Sequence, residues 1–486
     1  MGRIHFNGSL VVKLLGISLF IESAALALAS LVSLYYKESD LKPLLLSTCI
    51  TAAGGLLMYL TGKSSQRNSI GKREGFVFVS SVWVVFTIFG MLPFMLSGYI
   101  PNVTNAFFET MAGFTTTGST ILTDIEVLPH GLLFWRSLMQ WMGGLGIILL
   151  SLAIMPLLNL GNFQLFTAES PGPTYDKLHP RLTSTARILW VLYIILTLSE
   201  TLALKFAGMS LFDSACHALT TMSSGGFSTK NASIAHWNSP LIEGIILVFM
   251  FLASCNFPML YWLFTGKLSK IRHNEEFGLY AFTIAIIALM LASGLYAAQT
   301  YEMGHSIRIG LFQIVSFITT TGYTTTTEYV HWSPYLWSLL MIVMMIGGMA
   351  GSTAGGIKVA RMHVALKHAR NEMKRAIHPT AIIPIRYNGK PLGNHIVLNI
   401  MGFLIIYFVL ILASALFLMS LGLHFEEAIG NVISALGDVG PGFGRYASHY
   451  AALPDAAKWL QSFLMLVGRL EIFTVLLLIY PAFWRD

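Results

Sequence analysis

Apolar runs of about 20 residues recur along the entire chain, and this feature limits the possible folds more than any other. Ten runs lie near residues 10–34, 43–61, 75–98, 131–160, 184–207, 238–265, 277–298, 334–357, 395–420 and 455–484. A run of about this length lets an α-helix cross the hydrocarbon core of a bilayer. The sequence therefore predicts an all-α protein that crosses a membrane many times.

The low charge content leads to the same conclusion. Only 11% of the 486 residues are charged, and 55% are hydrophobic, whereas soluble domains carry about 25% charged residues. We interpret the net charge of +7 as the excess of Lys and Arg typical of cytoplasmic loops, and we expect no nucleic-acid partner. The three cysteines have no paired spacing, so they predict neither a disulfide framework nor a zinc site.

The runs have an internal order. The first two stand apart, and the other eight form four pairs, each with a linker that holds a short half-apolar segment and then a cluster rich in Gly, Thr or Ser. The clusters are Phe114-Thr115-Thr116-Thr117-Gly118-Ser119, Ser223-Ser224-Gly225-Gly226-Phe227-Ser228, Thr319-Thr320-Thr321-Gly322-Tyr323-Thr324 and Leu436-Gly437-Asp438-Val439-Gly440-Pro441. This self-similarity predicts an N-terminal helix pair (residues 1–70) and four helix–pore-loop–helix repeats (71–165, 166–270, 271–385 and 386–486).

The segments before the clusters predict four short helices that each end in a glycine-centred turn. Three of them place an acid at or near the start: Glu109, Asp213 and the pair at 426–427. An acid in the first turn suits the positive end of the helix dipole. The third segment has Gln313 instead.

Basic residues predict the orientation. They concentrate between the pairs, at Lys63, Arg67, Lys72, Arg73, Lys177, Arg181, Lys267, Lys270, Arg272, Lys358, Arg361, Lys367, Arg370, Lys374, Arg375, Arg386 and Lys390. Such connections are cytoplasmic in membrane proteins, so the loops should enter from outside and both termini should be cytoplasmic.

The four clusters suit a cation pathway. Non-helical backbone at membrane depth is tolerated where it is buried or lines water, and rings of carbonyl oxygens there replace the hydration shell of an ion. The predicted ion-binding residues are Thr116, Thr117, Gly118, Ser224, Gly225, Gly226, Thr320, Thr321, Gly322, Asp438, Val439 and Gly440. Asp438 either lies at the pore mouth, where it would concentrate cations, or is tied to loop N–H groups beside the pore.

A glycine-rich segment, residues 347–358, interrupts the second helix of the third pair. It lacks the Lys that a phosphate-binding loop has directly after its second Gly, because Ile357 follows Gly356. We interpret it as an unwound gate that faces the pore, and close helix packing through small residues is the alternative. The gate residues are Gly347, Gly348, Gly351, Ser352, Thr353, Gly355, Gly356 and Lys358, with Arg469 from the last run.

Other polar residues in apolar runs also predict local features. Arg469 is either an electrostatic barrier in the pore or a pin that bonds carbonyl groups of neighbouring helices. Glu200 and Lys205 should extend towards the membrane interface. Asn256-Phe257-Pro258 should bend its helix.

In combination, the four clusters, the glycine-rich segment and Val467-Gly468-Arg469-Leu470-Glu471-Ile472-Phe473 resemble the TrkH/TrkG family of bacterial potassium-uptake proteins, which are related to the Ktr and plant HKT transporters. The resemblance implies four repeats around one pseudo-fourfold pore, with filter glycines at Gly118, Gly226, Gly322 and Gly440. It also implies K⁺ as the transported ion with no organic cofactor, a homodimer in the bacterial inner membrane, and cytosolic nucleotide-binding regulatory subunits of the TrkA type. The second cluster departs from the family pattern by lacking a threonine run, and the fourth by having Asp438 in place of Asn.

Two other functions were considered. Obligatory coupling of K⁺ to H⁺ or Na⁺ remains an alternative to a channel-like pathway, although coupled transporters often show inverted repeats and midplane ionisable residues. An intramembrane enzyme is not expected, because corresponding spans hold no paired carboxylates, metal-ligand cluster or Ser/His constellation.

Overall fold

The computed structural model describes residues 6–62, 71–146, 182–326, 328–381 and 383–484. Its α-helices are α1 (Gly8–Tyr36), α2 (Leu41–Thr61), α3 (Lys72–Gly90), α4 (Leu92–Leu96), α5 (Val103–Phe114), α6 (His130–Trp141), α7 (Leu182–Phe206), α8 (Leu211–Met222), α9 (Pro240–Ala253), α10 (Phe257–Phe264), α11 (Leu268–Arg272), α12 (Glu275–Ala297), α13 (Met303–Ile318), α14 (Pro334–Ile346), α15 (Val359–Ile377), α16 (Asn394–Ser420), α17 (Phe425–Gly437), α18 (Asp455–Arg469) and α19 (Phe473–Ile479). A π-helical turn (Met142–Gly146) follows α6, and short 3₁₀ turns lie at Ser233–His236, Glu328–His331, Gly444–Tyr446 and Pro481–Phe483.

Six of the described helices are long and apolar enough to cross a membrane, or eight spans if each of two bent pairs counts as one. The six are α1, α2, α3 together with α4, α7, α12 and α16. The prediction of a mostly helical protein with several apolar helices is confirmed. The predicted span 131–160 begins as α6 and leaves the described residues after position 146, and Lys63, Arg67, Lys177 and Arg181 also lie outside them.

The four helices that precede the glycine clusters are too short to cross a bilayer. Helices α5 and α8 have 12 residues, α17 has 13 and α13 has 16, so at 1.5 Å per residue they extend about 18–24 Å against a hydrocarbon core of about 30 Å. Asn102 and Ser210 cap α5 and α8 by accepting hydrogen bonds from backbone N–H groups in the first turn. In α17, His424 and Glu427 form a reciprocal capping box.

The helix after each short helix loses its regular α-helical form part-way along the predicted span. Helix α6 runs into the π-helical turn, and α14 stops at Ile346. Helices α9 and α10 meet at 112°, and α18 and α19 meet at 118°. The predicted bend at Asn256-Phe257-Pro258 is therefore confirmed, and the runs at 334–357 and 455–484 do not form continuous helices.

Aromatic residues pack α5 between α3 and α6. The ring of Phe114 makes edge-to-face contacts with Phe86 and Trp135, with centroids 5.4 Å and 6.1 Å apart. The Trp135 indole donates a hydrogen bond of 3.0 Å to the Gly90 carbonyl oxygen. These contacts fix the end of α5, from which the first candidate loop begins.

A small β-hairpin is the main element that the sequence analysis missed. Strands β1 (Arg386–Tyr387) and β2 (Lys390–Pro391) pair antiparallel, with Tyr387 opposite Lys390. The turn residues Asn388 and Gly389 have positive φ angles of 50° and 76°. Asn-Gly is a strong signal for a tight hairpin turn, so the sequence did contain the information.

Two predictions about acidic residues were wrong. Glu200 is fully buried, so it does not extend to the interface, whereas Lys205 is exposed. Glu109 does not lie in the first turn of α5. It lies further along the helix, fully buried beside Arg136, whose Nη2 is 2.8 Å from the Glu109 carboxylate. The same carboxylate accepts hydrogen bonds from the Thr120 hydroxyl and the Ile121 N–H.

Removing one partner of this buried ion pair should destabilise the protein strongly. We expect Arg136→Leu to lower the free energy of unfolding by about 3–5 kcal/mol, because Glu109 would keep a buried charge without its partner. Lys230→Leu is the matched control, since its pair with Glu126 is partly exposed and such pairs contribute about 0–1 kcal/mol. Thermal unfolding in detergent measures both variants, and equal shifts would contradict the prediction.

Candidate functional site

Three-residue loops follow the four short helices and share one backbone conformation. Loop 1 comprises residues 116–118, loop 2 residues 224–226, loop 3 residues 320–322 and loop 4 residues 438–440. Each begins with a residue of positive φ and ends with a glycine of positive φ: Thr116 (59°) and Gly118 (81°), Ser224 (57°) and Gly226 (71°), Thr320 (56°) and Gly322 (77°), Asp438 (53°) and Gly440 (108°). The backbone repeats even though loops 2 and 4 depart from the threonine pattern.

The amide groups of each loop bond back to the helix that precedes it. In loop 1 the N–H groups of Thr117 and Gly118 both donate to the Ala112 carbonyl, at 3.0 Å and 3.2 Å. Loops 2 and 3 repeat this pattern onto Thr220 and Ser316. Loop 4 differs, because the Gly440 N–H donates to the Ser434 hydroxyl at 3.1 Å. Since the amides are engaged with their own helix, the loop carbonyls are directed to other neighbours.

The four glycines and four carbonyls form a closed ring. A Cβ atom on Gly118 would lie 2.0 Å from the carbonyl oxygen of loop 2, on Gly226 1.8 Å from that of loop 3, on Gly322 2.1 Å from that of loop 4, and on Gly440 2.6 Å from that of loop 1. The four oxygens belong to Gly225, Thr321, Val439 and Thr117. Each glycine therefore contacts the residue before the glycine of the next loop, and the fourth loop returns to the first.

Threonine hydroxyls brace two of the loops internally. In loop 1, Thr117 Oγ1 lies 2.8 Å from Thr115 Oγ1. In loop 3, Thr321 Oγ1 lies 2.9 Å from Thr319 Oγ1. All four side chains are buried. Loops 2 and 4 have Gly225 and Val439 at the equivalent position, so they cannot form this contact.

Asp438 begins loop 4 and is buried. Its carboxylate accepts a hydrogen bond of 2.9 Å from the Thr117 hydroxyl of loop 1, and its Cβ is 3.0 Å from the position of a Cβ on Gly355. It therefore faces the glycine-rich segment. Its partner is a neighbouring hydroxyl and not a loop N–H group, and Asp438 does not line the cavity described next.

A cavity of about 580 Å³ lies on the side of the loops formed by the glycines and the residues that follow them. All four loop glycines line it, together with Arg136, Lys230, Glu427 and Arg445. The Arg445 guanidinium, 2.9 Å from both carboxylate oxygens of Glu427, lowers the pKa of that carboxyl to about 2. Glu427 thus stays ionised at neutral pH, with Arg445 as its counter-charge at the cavity wall.

The glycine-rich segment (residues 347–358) lies on the opposite side of the loops and has no regular helix. The Gly355 N–H donates to the Thr320 hydroxyl at 2.7 Å, and Thr353 Oγ1 is 2.8 Å from Ser224 Oγ. A Cβ on Gly355 would be 2.2 Å from the Gly437 carbonyl oxygen. The segment therefore contacts the beginnings of loops 2 and 3 and the residue before loop 4.

Internal contacts keep the segment folded. Positive φ angles occur at Gly347, Gly351, Gly356 and Lys358, and Cβ atoms on Gly347 and Gly348 would lie 2.2 Å from the Gly355 oxygen and 2.6 Å from the Ala354 Cβ. The Ser352 hydroxyl donates to the Met349 carbonyl at 2.6 Å. Lys358 is buried and donates to the Ala354 carbonyl, so it is not an exposed charge of the basic connection, as its place in the sequence suggested.

Arg469 joins the segment to the π-helical turn after α6. One of its nitrogens donates to the Thr353 carbonyl at 2.9 Å, and another donates to the Gly143 carbonyl at 2.6 Å and to the Gly144 carbonyl. A Cβ on Gly143 would lie 1.8 Å from the Phe114 oxygen at the end of α5. Arg469 therefore joins the carbonyl groups of two segments. One of them, the π-helical turn, packs against the end of α5, from which loop 1 begins.

The structure also identifies two residues that the sequence analysis missed. Glu276 is buried, and its carboxylate accepts hydrogen bonds from the Ala350 N–H at 2.6 Å and from the Tyr387 hydroxyl at 3.0 Å. It thereby connects the glycine-rich segment to the β-hairpin. Gln140 on α6 contacts loop 2 at Gly225. A polar side chain within an apolar helix was the available signal for Gln140, whereas nothing in the sequence pairs Glu276 with positions so distant.

A sequence profile of the TrkH family, described as cation transport proteins, matches residues 46–485. The Trk system potassium uptake protein TrkH of Escherichia coli (strain K12) is 36% identical, covering 99% of this chain and 100% of that protein. The protein of the same name from Halomonas elongata is 35% identical, covering 98% of this chain and 99% of that protein. The crystal structure of the potassium transporter TrkH from Vibrio parahaemolyticus matches with a TM-score of 0.87 at 33% identity, over 99% and 100% of the chains.

Sequence and fold thus agree over nearly the full length. A family of transporters accounts for the apolar helices, and the protein is not an enzyme. The chain belongs to the TrkH family of cation transport proteins.

Proposed function

We propose that this protein takes up K⁺ across the bacterial inner membrane through a pore surrounded by the four loops. The observation that carries the proposal is the closed ring in which each loop glycine contacts the carbonyl of the next loop. Relatives named as potassium uptake proteins, similar over their whole length, support K⁺ as the ion.

The ring offers what a dehydrated K⁺ ion needs. Backbone carbonyls replace the water around the ion, and the C-termini of the four short helices lie directly before the loops, where their dipoles favour a cation. The residues proposed to form the binding sites are Thr116, Thr117, Gly118, Ser224, Gly225, Gly226, Thr320, Thr321, Gly322, Asp438, Val439 and Gly440. For Asp438, its contact with the Thr117 hydroxyl supports a role in joining loops 1 and 4 beneath the ring.

In the proposed architecture, four helix–loop–helix repeats (residues 71–165, 166–270, 271–385 and 386–486) surround a pseudo-fourfold axis, and residues 1–70 form an outer helix pair. The repeated loop backbone and the loss of regular α-helical form in each following helix support this division. The basic connections between repeats and both termini are then cytoplasmic, and the 580 Å³ cavity is the outer vestibule.

The glycine-rich segment is proposed as the gate. It contacts the first residues of loops 2 and 3 and the residue before loop 4, where it would block an ion leaving the ring. The gate residues are Gly347, Gly348, Gly351, Ser352, Thr353, Gly355, Gly356 and Lys358, with Arg469 as a positive charge that opposes cation passage. Cytosolic nucleotide-binding subunits of the TrkA type would set the gate, and the protein would work as a homodimer.

We favour a channel-like pathway driven by the membrane potential over obligatory coupling to H⁺ or Na⁺. Asp438 is the only titratable side chain within the four loops, whereas coupled transporters commonly place ionisable residues at the substrate site. In reconstituted membranes, the reversal potential of the K⁺ current should follow the K⁺ gradient and be unaffected by an imposed pH or Na⁺ gradient. A shift with either gradient would favour the coupled mechanism.

Potassium uptake itself is tested in a bacterium that lacks its own uptake systems. Expression of this protein together with its regulatory subunit should restore growth at low K⁺. The control is the same protein with Gly118→Val, because any Cβ at position 118 would overlap the Gly225 oxygen. If the wild type reaches the membrane with its partner and growth is still absent, the proposed function is wrong.

The ring predicts the effect of a side chain at one of its glycines. Gly226→Ser should lower the K⁺/Na⁺ permeability ratio by about tenfold or more, because its Cβ would lie 1.8 Å from the Thr321 oxygen and must displace that carbonyl. Gly244→Ser is the control, since a Cβ there has no neighbour within 4 Å. Reversal potentials in mixed K⁺ and Na⁺ measure the ratio, and an unchanged value would remove Gly226 from the filter.

The link through Glu276 predicts how the gate is held. Tyr387→Phe should raise K⁺ flux through the chain alone, because it removes a hydrogen bond to a buried carboxylate that also holds the Ala350 N–H. Such a bond contributes about 1.5–3 kcal/mol, so the flux should increase roughly ten- to hundredfold if the bond exists only in the closed state.

The control for this variant is Tyr407→Phe, which removes a buried hydroxyl that has no hydrogen-bond partner in the described structure. Tracer uptake into liposomes without regulatory subunits measures both variants. Equal fluxes for Tyr387→Phe, Tyr407→Phe and the wild type would exclude the hairpin from control of the gate.

A further inference from the structure

We infer that Gln140, a side chain outside the four loops, sets the ion selectivity of loop 2 by holding the Gly225 carbonyl. The inference rests on the proposed role of the loops as a K⁺ filter. Gln140 lies on α6 and is fully buried. Its amide hydrogen-bonds to the backbone of loop 2 from a neighbouring helix.

Both polar atoms of the Gln140 amide form hydrogen bonds with the backbone in and just after loop 2. Its Nε2 donates a hydrogen bond of 2.7 Å to the Gly225 carbonyl, and its Oε1 accepts one of 3.0 Å from the Phe227 N–H. Because the two partners flank Gly226, the side chain spans the glycine of loop 2. This geometry fixes both the direction of the Gly225 carbonyl and the path of the chain leaving the ring.

The same contact explains why position 225 is a glycine. A Cβ at this position would lie 2.4 Å from the Gln140 Cδ and 2.5 Å from its Oε1. In loops 1 and 3, the equivalent residues Thr117 and Thr321 brace the loop with their own hydroxyls. Gln140 therefore occupies the space of the missing threonine and takes over its bracing role from another helix.

The contact also changes the carbonyl that an ion would meet. The Gly225 oxygen belongs to the ring of four, because it lies 2.0 Å from the position of a Cβ on Gly118. Among the described hydrogen bonds, it accepts one from a side chain, whereas the corresponding oxygens of Thr117, Thr321 and Val439 accept none. The Gln140 amide, which donates at 2.7 Å, draws on oxygen electron density that would otherwise face the ion. The Gly225 oxygen therefore presents a weaker electrostatic field to the ion than the other three oxygens do.

Field strength and carbonyl position both affect discrimination between K⁺ and Na⁺. Without Gln140, the Gly225 carbonyl would have a stronger field and more freedom to move inward. Both changes favour the smaller Na⁺ ion. Gln140 is thus proposed as a positioning residue for selectivity that does not itself contact the ion.

The main test replaces the amide by a side chain of similar length without a donor. Gln140→Met should lower the K⁺/Na⁺ permeability ratio roughly fivefold, because, of the two hydrogen bonds that it removes, the one to the Gly225 carbonyl acts on the ion, and one typical hydrogen bond has about this effect; the amount of folded protein and the K⁺ flux should stay near wild type. Gln461→Met is the matched control, because Gln461 is fully buried on α18 and its amide has no partner in the described structure. Its ratio should be unchanged.

A reciprocal pair tests the steric part of the argument. Gly225→Thr alone should abolish flux or folding, since its Cβ would overlap the Gln140 amide. Adding Gln140→Ala should restore both, because the new threonine then has the space that Thr117 and Thr321 have in their loops. If the double variant is no better than Gly225→Thr alone, the proposed exchange of a threonine for a distant glutamine is wrong.

The outcomes separate this inference from the proposed function. If Gly226→Ser lowers the permeability ratio and Gln140→Met leaves it at the wild-type value, the filter stands and the role of Gln140 is disproved. If neither variant changes the ratio, the loops are not the filter. A loss of folded protein in Gln140→Met with an unchanged ratio in the remaining channels would assign Gln140 a structural role alone.

Discussion

The close contact between a glycine of one loop and a carbonyl oxygen of the next is the constraint on which the rest of the structure depends. At each of the four contacts, even one additional carbon would overlap the oxygen. The loops can therefore approach one another only if all four positions lack a side chain. The short helices, their caps and the loop amides bonded back to them all serve to present these four glycines to one another.

Below the ring, the glycine-rich segment is hydrogen-bonded to the loops themselves through two loop hydroxyls. Thr320 and Ser224 each provide one such contact, and Arg469 divides its donors between the segment at Thr353 and the fixed turn at Gly143. If the segment moved, Arg469 would lose one carbonyl partner and retain the others. Arg469 is partly buried, and a charge in that position that keeps partners in both arrangements avoids the free-energy cost of isolation, which suits a part of the structure that changes position.

Features that depend on local sequence were predictable, and those that depend on distant contacts were not. Hydrophobic runs located α12 and α16 to within two residues, and the Gly, Thr and Ser clusters located all four loops. Burial of Glu200 could not be inferred, because this residue lies near the end of its apolar run, where a charged side chain can extend to the membrane interface. The contacts of Glu276 and Gln140 join positions 74 and 85 residues away, and no periodic pattern encodes such pairs.

The four loops share a backbone but are braced by different chemistry. Loops 1 and 3 use hydroxyl pairs, loop 2 uses Gln140, and loop 4 uses the Ser434 hydroxyl for its glycine N–H together with the contact between Asp438 and Thr117. An ion on the axis would thus meet four carbonyls of similar position and unequal field. Because the glycine contacts fix the geometry, the hydrogen bonds that brace each loop can differ. Such differences would allow one side of the proposed pore to be tuned separately from the others.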